Sequence, residues 1–230
     1  MGSSSTTTTI TSMVVNGPAT TVAPSERPRA RRRRLNRRRI AETAIAMFER
    51  DGFTATTIDD IAAACDIGRR TFFRYFQGKE ELLYPFLEES SARAAAVLCE
   101  LQAAGTPGSR PVVAMRAALL AVAEDFQHDA AFHLRCSAVA LLQHHEGRPL
   151  AEVAGPTMND MAVQQTEVDL AAMMQVDRTT DPSPGLIAGA SITVFGSAYT
   201  EWISSDAQIE LPDLVLERFM LLVRLVADGV

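Results

Sequence analysis

From Ile40 onward the apolar residues of this 230-residue chain recur at spacings of three and four, and no segment alternates over the length of a strand. That period commits the chain to helices and predicts an all-α fold of about nine of them. Gly/Pro punctuation divides the pattern. Three short helices come first. Ile40, Ala44, Ile45 and Phe48 form one stripe closed by Gly52, and Thr57 caps a second helix carrying Ile58, Ile61 and Ala62, with Asp60 placed for a capping box. Asp66, Ile67 and Gly68 make a three-residue connection to a third short helix, Arg69 to Phe76. Longer helices are expected over 79–104, 111–127, 129–145, 150–174, 184–204 and 211–227. Pro85 is expected to kink the first of these, and Gly155-Pro156 to break or kink the fourth.

Charge is divided as unevenly as helix length. Residues 1–80 hold 14 Lys/Arg against 8 Asp/Glu, whereas residues 81–230 hold 8 against 20. The net charge of −6 therefore conceals a basic first third on an acidic body, the pattern of a polyanion-binding module joined to a domain with other work. Nine arginines fall between Arg27 and Arg39. With the Gly/Ser/Thr/Pro-rich segment before them, residues 1–34 read as a disordered arm suited to phosphate contact. The domains expected are this arm, a basic unit over 35–80 suited to a polyanion, and an acidic body over 81–230.

The third helix carries the chemistry. Arg69, Arg70, Thr71 and Arg74 interleave with Phe72, Phe73 and Phe76, so a polar face can read while rings anchor against Ile45, Phe48, Ile58 and Ile61. Arg69 and Arg70, nearest the helix start, are placed to meet guanine edges in the major groove. Tyr75 and Lys79, toward the far end, suit phosphates. Thr57, Asp59 and Gly68 complete the candidate DNA-facing set. Helices two and three with their short turn match a helix-turn-helix.

The stretch IAETAIAMFERDGFTATTIDDIAAACDIGRRTFFRYFQGKEEL, from Ile40 to Leu82, resembles the DNA-binding domain of the TetR/AcrR regulators. The resemblance runs through Ala44, Phe48, Gly52, Phe53, Thr56-Thr57, Ile61-Ala62, Ile67, the aromatic run Phe72 to Phe76, Lys79 and Leu82. Asp66 stands where that family usually has glycine, Gly68 where it has a serine cap, and Phe73 where it has a phosphate-binding tyrosine. The resemblance implies a helical regulatory domain with an internal ligand cavity and a homodimer formed by the last two long helices. Ala188, Gly189, Ser191 and Gly196 offer a small-residue surface for that dimer, and Leu211, Leu214, Val215, Phe219, Leu222 and Val226 a stripe.

Residues suited to line the cavity are Phe126, Phe132, His133, Met158, Met161, Phe195, Tyr199 and Trp202, which mix apolar bodies with a few polar tips. The expected function is therefore a repressor on a palindromic operator in double-stranded DNA, released by a small apolar or aromatic effector. An activator on the same fold, or a ligand-independent architectural binder, is the alternative. No cofactor is implied. Cys65, Cys99 and Cys136 lack zinc or disulfide spacing, His144-His145 cannot supply the i, i+4 pair of a helical metal site, and no phosphate loop, HExxH or nucleophile elbow suggests an enzyme. Without an apolar run of roughly 18–20 residues or a signal peptide, a cytoplasmic protein with no membrane contact is expected.

Overall fold

The computed structural model describes residues 28–104, 111–145 and 155–228, and every regular element among them is helical. The head comprises α1 (Pro28–Asp51), α2 (Ile58–Ala64), α3 (Arg69–Phe72) and a 3₁₀ turn (Glu80–Leu83). The body comprises α4 (Leu87–Ala103), α5 (Pro111–His128), α6 (Ala130–His145), α7 (Gly155–Met174), α8 (Ser183–Ser204) and α9 (Leu211–Asp228).

The head follows its local signals closely. Gly52 ends α1 with φ +88°, a conformation that glycine adopts without steric cost. Thr57 Oγ1 accepts the Asp60 N–H at 3.2 Å while Asp60 Oδ2 accepts the Thr57 N–H at 2.9 Å, which is the expected capping box. Asp66 takes φ +52° in the connection to α3, in keeping with the tolerance of Asp for the left-handed region. Phe72 and Phe76 pack with Ile45, Phe48, Ile58 and Ile61 as expected.

Several expectations need correction. Residues 28–34, assigned to a disordered arm, form the first turns of α1, where Pro28 serves as a helix-starting residue; residues 1–27 lie outside the described residues. The α3 helix stops at Phe72, and Arg74 N–H→Thr71 O (3.2 Å) and Tyr75 N–H→Phe72 O (2.8 Å) tighten the next turn. Pro85 does not kink a continuous helix. It separates the 3₁₀ turn from α4, because a proline cannot donate to the ladder. Pro156 likewise sits in the first turn of α7, where no donor is needed, and the expected start at 150 lies outside the described residues.

Two apolar cores result. The body core joins Leu98, Met115, Leu119, Phe126, Leu170, Ala188, Val194, Trp202, Leu211 and Val215 across α4, α5, α7, α8 and α9. The head core extends beyond the head: Phe132, Cys136, Val139 and Ala140 of α6 pack with Phe48, Phe72 and Phe76. A boundary at residue 80 therefore cuts through a single core. The stripe assigned to dimerisation is also mostly internal, since Leu211, Leu214, Val215 and Phe219 are buried within this chain, as are Ala188 and Ser191. Leu216, Met220, Leu221, Val223, Leu225 and Val226 instead leave a second, exposed apolar face on α9.

Candidate DNA-reading face and effector cleft

Asp59, Gly68, Arg69, Arg70, Phe73 and Arg74 are exposed in the head, as is Thr57. Phe72 is fully buried behind them, so α3 is held by one ring while its neighbours project. Phe73, expected to anchor, is 45% exposed and lies on the projecting side, because α3 has only one face against the core. Arg69 Nη1 meets Asp59 Oδ1 at 2.8 Å and its guanidinium lies 5.4 Å from the Phe73 ring centroid. This exposed pair is weak enough to exchange for another acceptor.

Tyr75 is nearly buried. Its hydroxyl accepts from Asn36 Nδ2 at 3.0 Å and more weakly from Arg74 Nη2 at 3.4 Å. The Asn36 hydrogen bond, the largest influence, acts with Arg74 to lower the phenol's pKa despite burial. Lys79, expected at phosphate, donates instead to the carbonyls of Phe53 (2.6 Å) and Thr56 (3.0 Å) and lies 4.3 Å from the Phe53 ring centroid. It pins the α1–α2 connection, where unsatisfied carbonyls attract an ammonium.

Part of the arginine run also turns inward. Arg37 lies one turn before Ile40 and Ala41 on the same helical face, and it is 3% exposed. It donates to the Tyr75 and Pro85 carbonyls, pairs with Glu81 at 2.6 Å and covers the Phe76 ring. Arg38 pairs with Asp129 and Glu42 over the Phe132 ring. Arg39 donates to Cys65 O at 3.3 Å, and Arg135 of α6 grips Glu49 of α1 at 2.6 and 2.8 Å. Of these, the Arg38–Asp129 and Arg135–Glu49 pairs join head to body, and the inward turn of Arg37, Arg38 and Arg39 was missed because sequence reasoning counted the arginines as one run. The helical register of Arg37 was the available signal.

Five proposed ligand residues come together. Phe126 and His133 stack at 4.0 Å between ring centroids, while Phe195, Tyr199 and Trp202 complete the aromatic cluster with Phe86, which sequence reasoning did not select. Phe132 belongs to the head core under Arg38, yet it also lines the cleft beside this cluster. The side chains of Met158 and Met161 lie outside the described residues, as do those of His144 and His145. Tyr199 shares a 3.1 Å hydrogen bond with Ser137, and burial raises the pKa of its phenol. Burial pushes the Cys136 thiol up to about 12, leaving it unreactive. His133 is driven down to about 4 by burial, against the opposing pull of Asp129. A cleft of about 90 Å³ opens beside this cluster, with Arg37, Arg38, Phe86, Glu89, Phe126 and His133 in its walls.

Residues 40–84 match the family described as bacterial regulatory proteins, tetR family. Over those residues the chain is similar to the TetR family. Among its relatives, this chain is 29% identical over 186 residues to a protein named as the mycofactocin biosynthesis transcriptional regulator MftR of Mycobacterium tuberculosis, across 80% of this chain and 88% of that one. It is 36% identical over 107 residues to the HTH-type transcriptional regulator TcmR of Streptomyces glaucescens, across 46% and 45% of the two chains. Among solved structures, Thermus thermophilus FadR, a TetR-family repressor in complex with lauroyl-CoA, aligns with TM-score 0.48 and 22% identity over 81% of this chain and 93% of that one. The curated relatives that this chain matches are thus named as transcriptional regulators. No helix among its described residues is long and apolar enough to cross a membrane.

Proposed function

We propose that this protein is a repressor that binds a palindromic operator as a homodimer and leaves it when a small apolar or aromatic ligand binds the body. The observation that carries the reading is the exposure of Arg69 and Arg70 on a short helix whose buried ring, Phe72, fixes it to the core, and of Arg74 in the turn that follows. Arg70 and Arg69 read base edges, the latter by leaving Asp59. Tyr75 already accepts two hydrogen bonds, so its own proton is left to donate to a phosphate oxygen. Thr57, Gly68, Thr71 and Phe73 border the same groove. Lys79 acts indirectly, by holding the approach to Thr57.

Exposed Arg29, Arg31 and Arg32 extend α1 beyond Asn36, which touches Tyr75, so their charge adds to the sequence-independent part of binding. The second copy covers the exposed apolar face of α9, placing two reading heads about 34–36 Å apart, one helical turn of DNA. Selection of bound duplexes from a random library, with light scattering for mass, tests this reading. An inverted repeat bound by a dimer is expected. Bound duplexes without two-fold symmetry, or a monomer at micromolar concentration, would overturn it.

A further inference from the structure

His133 is 2% exposed, yet its Nδ1 has no hydrogen-bond partner among the described residues, and the fully buried indole Nε1 of Trp202 is in the same position. A buried polar atom without a partner costs stability, so two in one aromatic cluster, with ring centroids 5.9 Å apart, call for an explanation. His133 also lines the cleft, on a floor shared with Phe86 and Phe126 at 4.3 and 4.0 Å between ring centroids. That floor suits a flat ring, since it would extend an existing stack. The environment keeps the imidazole neutral and thus favours an uncharged ligand, and a neutral imidazole nitrogen either donates or accepts. A hydroxyl answers both cases. The cleft holds several times the volume one water requires.

We propose that this cleft, at the seam between head and body, is the effector site and takes an uncharged hydroxyaromatic molecule, its ring on Phe86, Phe126 and His133, and its hydroxyl on His133 Nδ1 once a turn of the imidazole brings that fully buried atom to the cleft. The inference rests on the ligand-released reading above and gives it a place. The walls come from α1 through Arg37 and Arg38, from the start of α4 through Pro85 and Phe86, and from the α5–α6 corner through Asp129 and His133. A ligand here touches α1, the segment leading into α4 and the α5–α6 corner, where head and body meet. It can bias the angle of the head directly, by contacts that differ between head positions.

The test uses 4-ethylphenol and ethylbenzene, which share a ring and differ by one hydroxyl, titrated into the full chain. The readout is the indole N–H resonance of Trp202, the single tryptophan. The phenol is expected to shift that resonance saturably and to bind about tenfold or more tightly than ethylbenzene. In His133→Phe both should bind within about twofold of each other, and Ser90→Phe, which fills the cleft, should bind neither. Equal affinities in the wild type, no saturable shift, discrimination that survives His133→Phe, loss of both ligands in that variant, or binding that persists in Ser90→Phe would each overturn the site. Duplex affinity measured with saturating phenol separates the two readings. A fall supports both, whereas bound phenol with unchanged duplex affinity overturns ligand release and leaves the chemistry of the cleft standing.

Discussion

The head core is aromatic and its turns are made by residues suited to them, whereas the body core leans on small residues and its turns are not. Phe48, Phe53, Phe72 and Phe76 interlock in the head, with Gly52 and Asp66 at the left-handed positions. In the body, Ala114, Ala118, Ala123, Ala188 and Ala198 let helices approach, and Gln175 and Ala207 take positive φ although neither is a residue that favours it. Local sequence and tertiary packing agree in the head, which gives a reading surface one geometry. The body accepts local strain, as regions that change shape often do. α6 belongs to both, because Phe132 and Cys136 enter the head core while His133 faces the body's aromatic cluster.

That sharing is open to direct attack. Phe72→Ala removes a fully buried ring of the head core and is expected to cost about 3–5 kcal/mol. If α6 couples the cores, Trp202 fluorescence, far away in the body, will report the same lowered urea midpoint as far-UV circular dichroism. A tryptophan transition left at its wild-type midpoint would show two independent units.

An acid titration probes the body alone. His133 titrates near 4 when folded and near 6.5 when unfolded, so between those values the unfolded chain binds a proton that the folded chain refuses. Stability then falls as pH is lowered through that window, by about 3 kcal/mol. His133→Phe cannot take up that proton and removes a polar group lacking a partner. It is expected to match or exceed the wild type at neutral pH and to lose correspondingly less on acidification. An identical acid profile in the two proteins would refute the assignment of the loss to His133.

The smallest effects contrast the turns. Gly52→Ala places a side chain at φ +88° in otherwise open space and is expected to destabilise by about 1 kcal/mol, while Ala207→Gly relieves φ +56° and is expected to stabilise by about 0.5–1 kcal/mol. Opposite signs in chemical denaturation sustain the comparison, and equal signs break it.

The same contrast explains what could be read from the chain alone. Gly52, the Thr57–Asp60 box and the Phe72–Phe76 pair act over a few residues, so spacing revealed the head almost complete, including its exposed arginines. Arg37 and Lys79 were misread because their partners, Tyr75, Glu81, Phe53 and Thr56, are distant in sequence, and a charged side chain near a basic run looks solvated until packing is known. The aromatic cluster was anticipated residue by residue, but its meeting with Phe86 and the α1 arginines depends on how α6 bridges the cores, which no local pattern encodes. Periodicity marked α9 as amphipathic yet could not tell which of its two apolar faces belongs inside.

The account stands most directly on what Arg70 does. Binding of a selected duplex by wild type and Arg70→Ala, compared at several salt concentrations, is expected to show a loss of about 1–3 kcal/mol, relaxed preference at one base pair and a nearly unchanged salt slope, the signature of a lost base contact. Unchanged affinity and preference in Arg70→Ala, or a uniform weakening with a slope smaller by about one, as for a lost phosphate contact, would contradict it.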